Sequence, residues 1–316
     1  MTGITAPLSS RAIIGRFYET LSATDTAWVD TLAMRMDSNQ ESETYKWLGA
    51  TPVMREWVGG RQAKGFRLNG LTVENKLFEA TLKIALDDLR RDKTGQIMTR
   101  IDELATRAAQ HPARLMTTLI EAGESTACYD GQFFFDTDHT EGDSGTQDND
   151  RVFDISDNAT GGTATAPTKE TMQRAILQAV QALMGFKDDQ GEPMNEGASA
   201  FTVMVPTPFM APTLEALRLP LIGGGDANLL AGGSAGFSLT PRINPRLSWT
   251  TKFAVFRTDG RVKPFIHQVD FEPRLDSVAE GSELEFQQRE HHYGVTASRN
   301  VAYGYWQHAC LVTLQA

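Results

Sequence analysis

Residues 45–59 read Tyr45-Lys46-Trp47-Leu48-Gly49, Ala50-Thr51-Pro52-Val53-Met54 and Arg55-Glu56-Trp57-Val58-Gly59, and the kind of chain turns on this stretch. From Thr51 to Ala85 short apolar and β-branched runs are punctuated by Gly59-Gly60 and Asn69-Gly70, which are turn signals between strands. The pattern predicts a long β-hairpin or loop ending in a strand over Phe78–Ala85. Residues 55–83 carry six basic and three acidic side chains. Trp47, Trp57, Phe66 and Phe78 are each compatible with an ordinary core position. As a set, interleaved with Arg55, Glu56, Arg61, Lys64 and Arg67 on a glycine-punctuated extended segment, they match the composition of a protein–protein hot spot. A lone subunit rarely leaves such an element extended, so the expected partner of this segment is another chain.

Upstream, residues 1–45 mix small polar residues with a weak helical rhythm (Ile13, Phe17, Leu21, then Trp28, Leu32, Met36), as in an arm with little core of its own that lies on a neighbour. Downstream, Ile97, Ile101, Leu104 and Ala108 recur at helical spacing, and Leu115 and Leu119 resume the rhythm after Pro112, predicting a long helix kinked or split near His111. Cys128 to Pro167 is rich in Asp, Gly, Thr and Asn and reads as strand ends and exposed loops. Pro167-Thr168 opens an amphipathic helix with Met172, Ile176, Ala179, Val180 and Leu183 on one face, closed by Gly185. Phe201–Val205 reads as a buried strand, 209–217 as a short helix, and 223–236 as a glycine-rich flexible loop. Strand-like runs follow over Leu247–Arg257, Pro264–Phe271 and Leu284–Leu314, the last divided near Gly294 and Gly304. Helices and strands interleave without steady β-α alternation, so the expected class is α+β.

With 316 residues the chain can bury a large core without staples, and Cys128 and Cys310 form neither a disulfide framework nor a Cys-x-x-Cys pair. No signal-like apolar region accompanies Arg11 and Arg16, and no run of about 18 uncharged apolar residues occurs, so we expect a soluble chain with no membrane partner, made in a reducing cytoplasm. The net charge is -10, yet residues 1–125 carry 16 basic and 16 acidic side chains, so the whole excess lies beyond them. That disfavours a basic nucleic-acid-binding domain but permits a container, because an acidic lining avoids trapping phosphate.

Sites for chemistry are few. Asp136, Asp138, His139, Glu141 and Asp143 lie where eight acids fall between Asp136 and Asp157. A calcium loop would need Gly in place of Glu141 and Glu in place of Gln147, so a solvated acidic turn is the simpler reading. Adjacent His291 and His292 point to opposite faces of a strand, one packed and one exposed. The 223–236 glycines lack the following Lys-Ser or Lys-Thr of a phosphate loop, and no Gly-x-Ser-x-Gly elbow occurs. We therefore expect no enzyme, no cofactor and no metal.

The 45–59 run resembles the signature of the major head subunit (gpT) of phage Mu and Mu-like prophages. Three further blocks agree in order: Asn75-Lys76 and Phe78-Glu79-Ala80-Thr81 running into Asp87-Asp88; Tyr129-Asp130-Gly131-Gln132 and Phe134 through His139; and Tyr293-Gly294-Val295, Arg299-Asn300 and Tyr303 through Gln307. The resemblance implies a tailed-phage major capsid fold of the Hong Kong ninety-seven type. Its parts would be an N-terminal arm (1–45), an E-loop (46–80), a peripheral domain (81–160 and 261–316) with a spine helix over 95–122, and an axial domain (161–260). Pro112 departs from the spine pattern.

It further implies a virion capsid protein, assembled in the host bacterial cytoplasm, that builds pentamers and hexamers of an icosahedral shell around double-stranded DNA. Its partners would be copies of itself, a separate scaffold or protease, a portal and a decoration protein, with no sequence-specific DNA binding. The expected assembly residues are Trp47, Arg55, Glu56, Trp57, Arg61, Lys64, Phe66 and Arg67, facing Asp136 and Asp138. Two other readings stand beside it: a cellular nanocompartment shell of the same fold, and a metal-dependent hydrolase using Asp136, Asp138 and His139.

Overall fold

The computed structural model describes residues 9–46, 48, 70–91, 95–156, 162–221, 228, 230–231 and 236–316. In chain order the elements are α1 (Ser10–Ala23), α2 (Trp28–Leu32), β1 (Ala33–Asp37), β2 (Ser42–Tyr45), β3 (Leu71–Glu74), β4 (Lys76–Ala85), α3 (Leu86–Arg91) and α4 (Gln96–Glu121). The acid-rich stretch holds β5 (His139–Thr140), β6 (Thr146–Gln147) and β7 (Asp150–Asp154), followed by β8 (Gly162–Thr163) and β9 (Ala166–Pro167). Then come α5 (Lys169–Gly185), β10 (Ala200–Val205), α6 (Met210–Arg218), β11 (Ser238–Ile243), β12 (Lys252–Arg257), β13 (Phe265–Val278), α7 (Glu283–Gln288), β14 (Glu290–Tyr303) and β15 (Ala309–Gln315). The class is α+β, as the interleaving of periods predicts.

Two sheets organise the chain. A four-stranded sheet runs β1-β13-β14-β4, with β1 parallel to β13 and the rest antiparallel. Its face is closed by α1 and α4: Ile13 and Phe17 meet Ile97, Ile101 and Ala105 above Ile84, Leu275, Tyr293 and Val295. Arg16 clamps Asp102 through Nε at 2.7 Å and Nη2 at 2.8 Å, and Thr20 donates to the same carboxylate at 2.6 Å. A five-stranded sheet runs β11-β10-β12-β15-β7 and packs against α5 and α6, whose apolar faces join the main core. The α5 helix starts as its sequence directs: the Thr168 side chain accepts from Thr171 N and caps the first turn.

Four expectations change. From Ser10 onward the arm packs on its own chain, because Ile13 and Phe17 are completely buried against α4. Ala33–Asp37 pairs in parallel with β13, so the helical rhythm ends at Leu32 and tertiary pairing overrides it at Met36. The α4 helix runs unbroken for 26 residues through Pro112, which is buried along the same face as Ile101, Ala105 and Met116. Burial of that face outweighs the missing amide. The run from Leu284 begins as the short helix α7, capped by Ser282, and β14 passes through Gly294 without a break because Gly294 is paired on both sides, with Asp276 and Thr81. The division at Gly304 holds: a Cβ there would stand 2.7 Å from Lys263 O. The 223–236 loop falls largely outside the described residues.

No helix among the described residues is long and apolar enough to cross a membrane.

Candidate functional site

Of the ten expected assembly residues, Trp47, Arg55, Glu56, Trp57, Arg61, Lys64, Phe66 and Arg67 lie outside the described residues. Their root is defined. The chain leaves the ladder of β2 and β3 at Tyr45 and returns at Leu71, directly opposite. Buried Gln268 fastens this root to the four-stranded sheet, accepting from Tyr45 Oη at 2.8 Å and donating through Nε2 to Val73 O at 3.1 Å and Asn75 Oδ1 at 2.8 Å. Phe78, on β4, is half-buried edge-on to His111 of α4, with ring centres 4.3 Å apart.

The other two residues, Asp136 and Asp138, sit on the acid-rich stretch, which is more rigidly built than its composition suggests. Asp136 accepts from Phe133 N at 3.2 Å and Thr137 N at 2.8 Å, and exposed Asp138 accepts from Gln132 Nε2 at 2.8 Å. Beneath them Asn149, fully buried, accepts from Asp136 N at 2.9 Å and donates to Phe134 O, Trp306 O and Ala309 O. The stretch therefore divides into an outer surface bearing Asp138 and partly exposed Asp136, and a packed floor to which Phe134 and Phe135 contribute together with Trp306.

His139 belongs to the floor. Its ring stacks on Trp306 at 3.9 Å, and Nδ1 bonds Asp130 Oδ2 at 2.7 Å. The Cys128 thiol donates to the other oxygen of Asp130 at 3.0 Å. Burial works against the Asp130 carboxylate, but the bonds from His139 and Cys128 prevail and hold it below the usual range. Burial, with Asp130 alongside, pushes the Cys128 thiol far up. Cys128, Asp130 and His139 are the atoms close enough to share an ion among the described residues, and they are occupied with one another. Asp136 and Asp138 do not converge with His139, so the residues named for a hydrolase do not form a site together. Of the adjacent histidines, His291 is buried and His292 is one-third exposed, as a strand requires.

Sequence reasoning missed a groove of about 1100 Å³ between α4 and the strands β4 and β14. Its signal is Arg100, Arg107 and Arg114, spaced by seven along α4, but the residues that complete the groove, Arg246 and Arg299, lie more than a hundred residues further along the chain.

Residues 9–166 and 243–315 match the family described as Mu-like prophage major head subunit gpT. The chain belongs to that family. It is similar to the major capsid protein of Escherichia phage Mu, at 39% identity over 108 residues covering 34% of this chain and 35% of that protein. It also resembles the FluMu prophage major head subunit of Haemophilus influenzae, at 32% identity over 165 residues, 51% of this chain and 53% of that one. The matches thus span about half the length, or less, of these curated relatives. Among solved structures the procapsid of bacteriophage JBD30 matches with TM-score 0.55 and 23% identity, covering 96% of this chain and 73% of that one. The fold of this chain is that of tailed-phage capsid proteins.

Proposed function

We propose that this chain is the repeating subunit of a phage head: it forms pentamers and hexamers that close an icosahedral shell around double-stranded DNA. The observation that carries the reading is the family match on both sides of residues 167–242, joined to a capsid-like fold over nearly the whole chain. Function then resides in contacts. Each subunit would meet copies of itself through heterologous surfaces that close rings, so modest interfaces repeated around axes sum to large stability.

In this reading 1–45 is the arm, 46–80 the E-loop, 81–160 with 261–316 the peripheral domain and 161–260 the axial domain. The basic loop 55–67 lies over the acidic stretch 136–157 of a neighbouring subunit. Assembly takes place in the host cytoplasm with a separate scaffold or protease, a portal and a decoration protein, and ends in the virion. A compartment that packages an enzyme is not favoured, since both curated relatives are phage or prophage head proteins.

Electron microscopy of the purified, overexpressed chain tests the function: closed shells with fivefold and sixfold capsomers are expected, and uniformly small particles would refute it. Lys64→Glu with Arg67→Glu should abolish or slow assembly and weaken its salt dependence; shells forming at the normal rate would remove the loop assignment.

A further inference from the structure

The groove between α4 and the strands β4 and β14 carries a charge pattern that its own chain leaves unanswered. Arg100, Arg107 and Arg114 stand on one stripe of the helix, and Arg246 and Arg299 face them, against Glu79 and Glu103. None of the five guanidinium groups has an ion-pair partner among the described residues. Arg246 donates to Gln110 Oε1 at 3.3 Å. Arg299 is the informative one. It is 3% exposed, it lines the groove, and its Nε has no hydrogen-bond acceptor. The carboxylate that acts on it, Glu272, is held by Arg35 at 2.5 Å. A buried charge without a partner is costly, and a carboxylate brought to Arg299 would offset that cost. His111, half-buried beside Arg299 and Arg114, reports the same field: burial and these two cations push it down to about 4.

We propose that this groove receives a carboxylate-bearing segment of a second copy of the chain, its acid seated on Arg299 and Arg114. The inference rests on the shell reading above. A second copy fits on charge: residues 1–125, which carry three of the five arginines, are balanced and the net -10 lies beyond them, so the same chain supplies carboxylates in excess. Duplex DNA does not fit, because the rod is too wide to bring a phosphate down to a side chain as deep as Arg299. From Gln96 to Arg114 the helix spans about 27 Å, enough for an extended segment of about eight residues. The contact joins different surfaces of two copies, so it can repeat around a ring.

The test uses the full chain with a photo-crosslinking residue replacing exposed Arg107. Isotopically heavy and light subunits are mixed, assembled and irradiated. Cross-links joining heavy to light chains, attached next to an Asp or Glu, are expected. Closed shells with no such link, or attachment to DNA, to another protein or to a stretch without acid, overturn the inference and leave the shell reading standing. A wild-type chain that builds no shell removes both. In parallel, Arg299→Met should leave the melting temperature of the isolated subunit unchanged or higher while raising the concentration needed for assembly about tenfold, with Arg299→Lys in between. Normal assembly of Arg299→Met overturns the inference. So does a melting temperature that falls, which would show that Arg299 is already answered within its own subunit.

Discussion

Replacing Asn149 with alanine should damage the subunit more than any substitution of the acids around it. The side chain is completely buried and serves four partners: it accepts from Asp136 N at 2.9 Å and donates to Phe134 O at 2.9 Å and to Trp306 O and Ala309 O, each at 3.3 Å. Alanine keeps the backbone bonds, Asn149 N to Asp136 O at 3.0 Å and Leu311 N to Asn149 O at 2.8 Å, so the strand pairing itself survives. What is lost is the satisfaction of the Asp136 amide and the Phe134 carbonyl, together with two weaker bonds. At roughly 1–3 kcal/mol for each polar group left without a partner, the two short bonds alone give about 4 kcal/mol. Against a typical total of about 5–15 kcal/mol this is a large fraction. Urea unfolding of unassembled subunits at neutral pH measures it directly. Asn149→Asp should be at least as harmful there, because it sets a carboxylate against three carbonyls, and should recover partly in acid when the oxygen regains a proton. An Asn149→Ala subunit within about 1 kcal/mol of wild type would refute the view that this side chain ties the acid-rich stretch to the C-terminal strand.

Two further outcomes follow from local geometry. Gly304→Ala places a Cβ 2.7 Å from Lys263 O and 3.1 Å from Pro264 O, both backbone atoms, so a loss of about 2 kcal/mol or more is expected in thermal unfolding. Asp150 is pushed up to about 6 by burial and by Glu124 nearby. The folded subunit thus holds a proton that the unfolded chain releases near pH 4, so the stability contributed by Asp150 falls as pH rises from about 4 to 6 and stays low above that. Asp150→Asn should raise the melting temperature at pH 7.5 and leave it nearly unchanged at about pH 3, below both values; the opposite ordering would contradict the assigned environment.

Much of the fold was legible because its signals are local. The α5 helix carries its cap at Thr168 and its apolar face in the sequence, and the turn at Gly304 is forced by a close backbone approach. The errors lie where partners are distant in sequence. Nothing near Ala33–Asp37 announces a parallel strand on β13, more than two hundred residues away. The burial of Ile13 and Phe17 depends on Ile97 and Ile101. The acid-rich stretch looked like solvent-exposed loop because its composition hides the buried positions His139, Asn149 and Phe153 among aspartates. The strands at the root of the 46–70 excursion escaped the reading, because Ser42–Tyr45 lay within the expected arm and finds its partner Leu71–Glu74 only across the excursion, and the arginines of the α4 groove acquire meaning only when Arg299 is brought beneath them.

Sedimentation of the purified chain tests the central claim most directly. A subunit of 34.8 kDa that builds a head should pass, as concentration rises, into a boundary of megadalton particles with little between. A chain that stays near the mass of one subunit at every concentration would contradict the account.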